Sequence, residues 1–146
     1  MIALVQRVAE ARVVIDGLTI GAIGQGALLF VCAEPEDTPA QAQALLGKVL
    51  RLRIFADAAG KMNRSVQDVG GGLLVVSHFT LAADATGGNR PSFTGAAPPA
   101  LARSLYDHFV ALARAQHGEV ACGVFGADMQ VHLVNDGPVT IPLRII

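Results

Sequence analysis

Asp16-Gly17 joins RVVID (12–16) to LTIGAI (18–23), two runs with the character of β-strands. A pair of this type makes a good two-residue hairpin turn. The run before it, IALVQRV (2–8), and the run after it, ALLFVCA (27–33), also read as strands. Four strand-like runs in the first 33 residues commit the chain to a sheet built largely from hairpins. Gly21, Gly24 and Gly26 form G-x-x-G-x-G. That is not the dinucleotide-binding spacing, and a strand follows it, not a helix. The three glycines are read as turn residues, where φ must be positive.

The helices come later. Thr38 is placed to cap a helix with Pro39 in its first turn. Ala42, Leu45, Leu46, Val49, Leu50 and Leu52 then recur at helical spacing to about Arg53. RIFAD is read as a strand, AAGKMN as a turn and LLVVS (73–77) as a strongly apolar strand, which FTLAAD continues or follows after a bend. ATGGNRPSFTGAAPP (85–99) is a loop long enough to suggest function or disorder. A second helix is expected from Pro99 to Gln116, with Leu101, Leu105, Phe109 and Leu112 on one stripe. EVACGVFG, MQVHLVN and VTIPLRII finish the chain as strands. The expectation is one α/β domain over 1–146, a mixed and strongly curled, barrel-like sheet with two packed helices.

Composition narrows the function. The chain has 146 residues and is 52% hydrophobic, with mean hydropathy +0.48. That suffices for a real core, argues against disorder, and hints at a homo-oligomer. No apolar run reaches a membrane span, and MIALVQRV lacks signal-peptide features, so a cytoplasmic protein with no membrane partner is expected. Cys32 and Cys122 are the only cysteines and are read as small buried hydrophobes. His78, His108, His117 and His132 have no metal-ligand spacing, so neither a metal nor a cofactor is expected. With one tyrosine and no tryptophan, an aromatic base-stacking platform is not expected. Net charge is −1, but Lys48, Arg51, Arg53, Lys61 and Arg64 cluster with Asp57 as the only acid among them. Such a stretch suits a phosphate backbone or, equally, a solvated helix face and hairpin.

VVSHFTL (75–81) places a hydroxyl beside an imidazole. Neighbouring residues of a strand point to opposite faces. Ser77 and His78 therefore cannot pair within one strand, and His78 with Thr80 is the pair that alternation would bring together. A nucleophile–base unit also needs a third group to orient the base. Asp84 and Asp128 are the candidates, and there is no G-x-S-x-G elbow. Asn135-Asp136-Gly137-Pro138 reads as a turn between two strands, in which an X-Pro bond allows an unusual backbone.

Taken together, SHFTLAAD (77–84), RPSFTGAAPP (90–99) and FGADMQVHLVNDGPVT (125–140) resemble the D-aminoacyl-tRNA deacylases of the DTD type. IALVQRV and LRIFAD…GKMNRSVQDVGG (52–72) extend the likeness over essentially the whole chain. The resemblance implies a homodimeric hydrolase that cleaves the ester of D-aminoacyl-tRNA. It also implies action on glycyl-tRNA mischarged on tRNA-Ala, because glycine lacks the side chain being tested. Ser77, His78, Phe79 and Thr80 match the family's catalytic strand end, Ser-Gln-Phe-Thr. Gly137 and Pro138 match a Gly-cis-Pro turn that enters the partner subunit's pocket. Arg7 matches the arginine that holds that turn, and Met129 falls among the matching substrate-side residues.

The resemblance further implies that catalysis uses the tRNA's terminal 2′-OH and backbone amides near Phe79 and Thr80, which can stabilise a developing oxyanion. L-amino acids would be excluded by backbone bulk. The basic residues Lys48, Arg51, Lys61, Arg64 and Arg90 then gain tRNA as a partner, and the 85–99 loop would border the pocket for the terminal adenosine. His78 departs from the family's glutamine and introduces a group that titrates near pH 6.5. The ending PLRII departs as well. Two other readings stay open: an editing enzyme of relaxed chirality acting on an L-aminoacyl-tRNA, and a dimer that binds nucleic acid without catalysis.

Overall fold

A computed structural model describes residues 1–146. The elements, in order, are β1 (Ile2–Ile15), β2 (Leu18–Ile23), β3 (Gly26–Cys32), α1 (Pro39–Arg51), β4 (Phe55–Ala56), β5 (Met62–Arg64), β6 (Gly72–Ser77), α2 (Pro99–Gln116), β7 (Val120–Cys122) and β8 (Gln130–Arg144). A short 3₁₀ turn, Phe79–Ala82, follows β6. Six strands form one curled sheet in the order β2-β1-β3-β6-β7, with β8 on the other side of β1. β4 and β5 form a separate small hairpin. β1–β2, β1–β3 and β1–β8 are antiparallel, whereas β3–β6 and β6–β7 are parallel. Each parallel pair is joined through one helix, as a parallel connection requires a crossover. No helix is long and apolar enough to cross a membrane.

The Asp16-Gly17 hairpin forms as expected, with φ of 49° and 77° at the two positions. The other glycines do a different job. Gly21 and Gly26 lie inside β2 and β3, and neither has a positive φ. They permit close approach: a Cβ on Gly21 would stand 2.7 Å from the Cys122 carbonyl oxygen, where β2 curls over β7. A Cβ on Gly26 would run into the backbone of Gly72.

The curl gives the sheet two apolar faces. Ala3, Val5, Ala27, Leu29, Val31, Leu73 and Val75 face the helices in a core of 23 buried residues. Val8, Ala11, Val13, Ile23, Leu28, Leu74 and Val76 fill the inside of the curl. Alternation along β3 and β6 assigns these faces. In β1 the assignment switches, since Ala3 and Val5 face the helices but Ala11 and Val13 face inward. The register of β1 against β8 shifts between Gln6 and Glu10, and a one-residue slip exchanges the faces.

The helices follow the sequence closely. α1 is capped by Thr38, whose side chain accepts from the Ala40 amide, while the Gln41 side chain closes the capping box. It ends at Arg51, two residues short of expectation, and buries Ala42, Leu45, Leu46, Val49 and Leu50. α2 spans the expected 99–116. The irregular stretches differ more. RIFAD supplies only the two-residue β4, and EVACGVFG only the three-residue β7. FTLAAD bends into the 3₁₀ turn, so alternation does not place Thr80 on the His78 face. MQVHLVN and VTIPLRII are one long partner of β1, not two strands: Val8 pairs Asn135 and Gln6 pairs Thr140, so residues 136–139 are looped out of a continuing ladder.

Candidate active site

Parallel strands leave a crevice beyond their carboxyl ends, where the next segments turn away. Here the ends of β3 and β6 open onto a cavity of about 700 Å³, a size that suits a small-molecule site. Cys32 and Ala33 close one side, Ser77 to Thr80 a second, the start of α2 a third, and Phe125 to Met129 a fourth. Ser77, His78, Phe79, Thr80 and Met129 are thus brought together at one place. The 85–99 loop borders it through Ala96, Ala97 and Pro99.

His78 extends the β6 ladder by one bond, its amide donating to the Val31 carbonyl at 2.8 Å. Its ring meets Phe30 edge-on, 4.7 Å between centroids. Nδ1 is buried with no hydrogen-bond partner, so no carboxylate orients the imidazole. The Asp84 carboxylate is instead occupied by Thr86, from its amide at 2.9 Å and its hydroxyl at 2.6 Å. This removes the triad reading of VVSHFTL. Buried N–H groups are left without a partner more rarely than buried acceptors, so with Nδ1 unpartnered the ring is expected as the Nε2–H tautomer.

Burial lowers the His78 pKa below its ordinary value. The neutral ring therefore persists to more acidic pH than the sequence suggested. The unfolded chain takes up the proton first, so folding stability from this group is present above about pH 6.5 and declines as pH falls below it. The ratio of wild-type to His78→Gln deacylation rates should stay constant from about pH 8 to 6.5 and fall only below that window. A ratio already falling at neutral pH would show that His78 titrates normally.

Past His78, the 3₁₀ turn supplies the site's donors. The Leu81 amide donates to the His78 carbonyl and the Ala83 amide to Thr80. The Phe79 and Thr80 amides, at the start of the turn, have no acceptor within the chain, as helix geometry dictates for first-turn N–H groups. Two features were not expected from the sequence. Tyr106 crosses from α2 to donate to the Val75 carbonyl at 2.9 Å, and desolvation pushes its phenol up. Phe79, 58% exposed, and Phe93, 38% exposed, form an edge-to-face pair at 5.1 Å. Composition argued against an aromatic platform, yet one exposed aromatic pair stands at the cavity rim.

Arg7, Gly137 and Pro138 lie elsewhere. Arg7 donates from Nε to the Asp136 carbonyl at 3.0 Å and from Nη1 to the Ile54 carbonyl at 2.8 Å. Asn135, which sequence reasoning treated only as part of a turn, fastens the base of the loop. Its side-chain amide donates to the carbonyls of Arg7 and Val139, both at 3.0 Å. Residues 136–138 are exposed, and the Gly137–Pro138 bond is cis. β1 connects this loop to the cavity: Met1 lines the cavity and Arg7 holds the loop. Six residues of strand at about 3.3 Å each separate them by roughly 20 Å.

Lys48 and Arg51 lie in the last turn of α1, and Lys61 and Arg64 at the β4–β5 hairpin; all four are exposed. Arg64 donates to the Asp68 carbonyl and Arg53 to the Asn63 side chain. Arg90 is exposed in the 85–99 loop, whose later residues Ala96, Ala97 and Pro99 line the cavity.

A sheet curled on itself with two packed helices defines a fold class shared with solved structures. One, named "c-Myc DNA Unwinding Element Binding Protein", superposes with TM-score 0.95 at 40% identity, covering 100% of this chain and 99% of its own. Another, described as "a probable eukaryotic D-amino acid tRNA deacylase", gives TM-score 0.84 at 16% identity over 99% of this chain and 98% of its own, which shows a common fold. A protein of Aromatoleum aromaticum (strain DSM 19018 / LMG 30748 / EbN1) named D-aminoacyl-tRNA deacylase is 70% identical over 146 residues, 100% of this chain and 96% of that protein. The family described as D-Tyr-tRNA(Tyr) deacylase matches residues 4–144. The chain belongs to this D-aminoacyl-tRNA deacylase family.

Proposed function

We propose that this chain is an editing hydrolase that cleaves the ester of D-aminoacyl-tRNA in the cytoplasm as a homodimer, and that it also clears glycyl-tRNA mischarged on tRNA-Ala. One observation carries the details of this reading: the cavity, lined by Met1, and the Gly137–Pro138 loop, held by Arg7, are six residues apart along β1, roughly 20 Å on strand geometry. A loop that exposed, held by Arg7 and Asn135 yet remote from its own cavity, is suited to the cavity of a second copy.

In that arrangement the ester carbonyl sits against the Phe79 and Thr80 amides. These amides are already unpaired and cost no reorganisation when charge develops on the oxygen. Attack is assisted by the 2′-OH of the terminal ribose, which supplies the hydroxyl chemistry that Ser77 and an unoriented His78 do not. His78, neutral and fixed by Phe30, positions the substrate by donating from Nε2. The partner's loop fills the space an L side chain would need, so chirality is read by exclusion. Glycine, with no side chain, passes. The terminal adenine packs on the exposed Phe79–Phe93 pair.

Purified protein offered matched D-, L- and glycyl-tRNA should deacylate the D and glycyl esters and spare the L ester. Equal turnover of the L ester would favour a relaxed-chirality enzyme. Binding without turnover of any of the three would leave only a nucleic-acid-binding dimer.

A further inference from the structure

Resting on the cross-subunit reading just given, we infer that the basic cluster on α1 and the β4–β5 hairpin serves the other subunit's active site, gripping the phosphates of a tRNA whose 3′ end lies in the partner's pocket.

Arg7 binds the looped-out segment through the Asp136 carbonyl and the segment after α1 through the Ile54 carbonyl. A single guanidinium therefore ties the Gly137–Pro138 loop to residues that lie directly between Arg51 and the β4–β5 hairpin. α1 runs the same way. Its first turn follows the cavity-lining Ala33 closely in sequence, and its last turn, with Lys48 and Arg51, lies nine to twelve residues beyond Pro39. At about 1.5 Å per residue that is roughly 14 to 18 Å from the helix start. Loop and cluster are thus joined through Arg7, and neither lines the cavity.

If the loop of one copy enters the cavity of the next, the cluster travels with it. Lys48, Arg51 and Lys61 are exposed and make no ion pair or side-chain hydrogen bond within the chain. Their charge is free for phosphate, which fixes a nucleic acid's position without reading its bases. Arg90, in the loop whose later residues line the cavity, remains with its own pocket, so each bound tRNA would meet Arg90 from one subunit and the cluster from the other.

Mixed dimers with two affinity tags separate the possibilities. One subunit has its cavity filled by Ala96→Trp, or loses an amide donor by Thr80→Pro if the first variant folds poorly. The other subunit keeps an open cavity. Gly137→Ala placed on the blocked subunit should lower the remaining kcat/KM about 100-fold, and on the open subunit should not; this arm tests the cross-subunit reading alone. The triple variant K48A/R51A/K61A is then moved between subunits. On the blocked subunit it should lower kcat/KM about tenfold and reduce the salt dependence by up to about three counterions' worth of slope. On the open subunit it should change neither. Loss only in the opposite arm would assign the cluster to its own pocket, and that result, equal loss in both arms, or no loss in either would overturn the proposal. A Gly137→Ala effect with no asymmetry would overturn the cross-subunit reading, and this proposal with it.

Discussion

Replacing Gly137 by alanine should lower kcat/KM for D-aminoacyl-tRNA by about 100-fold, the scale of loss that a misplacement near 1 Å produces. Gly137 has φ of +130°, a conformation side chains rarely adopt. An added Cβ would stand 2.9 Å from Arg7 Nη2 and 3.0 Å from Val139 Cγ2. Arg7 cannot simply swing aside, because it is held by the carbonyls of Asp136 and Ile54. The loop must tilt instead. Residues 136–138 are exposed, so the tilt sacrifices little packing and the melting temperature should barely move. Deacylation kinetics beside a thermal melt would check both halves. A wild-type rate would show that the loop does not shape the pocket.

Gly26→Ala should act in the opposite way, on the fold. Gly26 pairs Gly72 in the parallel register between β3 and β6. Any Cβ at position 26 meets the Gly72 backbone, including its nitrogen at 2.6 Å and its carbonyl carbon at 2.8 Å. Two central strands cannot separate without opening the layer of Leu29, Leu73 and Val75, all fully buried. A loss of about 3 kcal/mol or more is expected from this overpacking. For a chain this long the fall in Tm would be on the order of 10 °C. Gly24→Ala is the control, since a Cβ there has nothing within 4 Å and φ is not positive. Equal melting of the two variants would refute the steric account.

Much of the site could be read from residues 77–80 and 137–138, but only as separate stretches. Strand alternation correctly denied a Ser77–His78 pair, because it is a local property of extended backbone. The same rule misplaced Thr80, because the chain bends into a 3₁₀ turn at Phe79. That bend is what frees the Phe79 and Thr80 amides. The titration of His78 was legible only as the ordinary value of a free imidazole. Its lowering comes from desolvation by burial, in a setting where Phe30 of a distant strand packs against the ring.

The glycines make the contrast sharpest. A turn needs only its own backbone angles, so Asp16-Gly17 could be recognised from two letters. Gly21 and Gly26 answer to Cys122 and Gly72, partners that only the curled sheet brings near. Elements with local causes could be read from the residues alone: the first hairpin, the Thr38 cap, the apolar stripes of α1 and α2, and the likeness to a deacylase family. Long-range contacts alone settle that residues 136–139 loop out of one continuous strand, that Arg7 pins the loop, and that the loop lies outside the cavity lining. Those facts depend on register across β1, where a shift of one residue exchanges the faces of the sheet, and no short stretch of sequence carries that information.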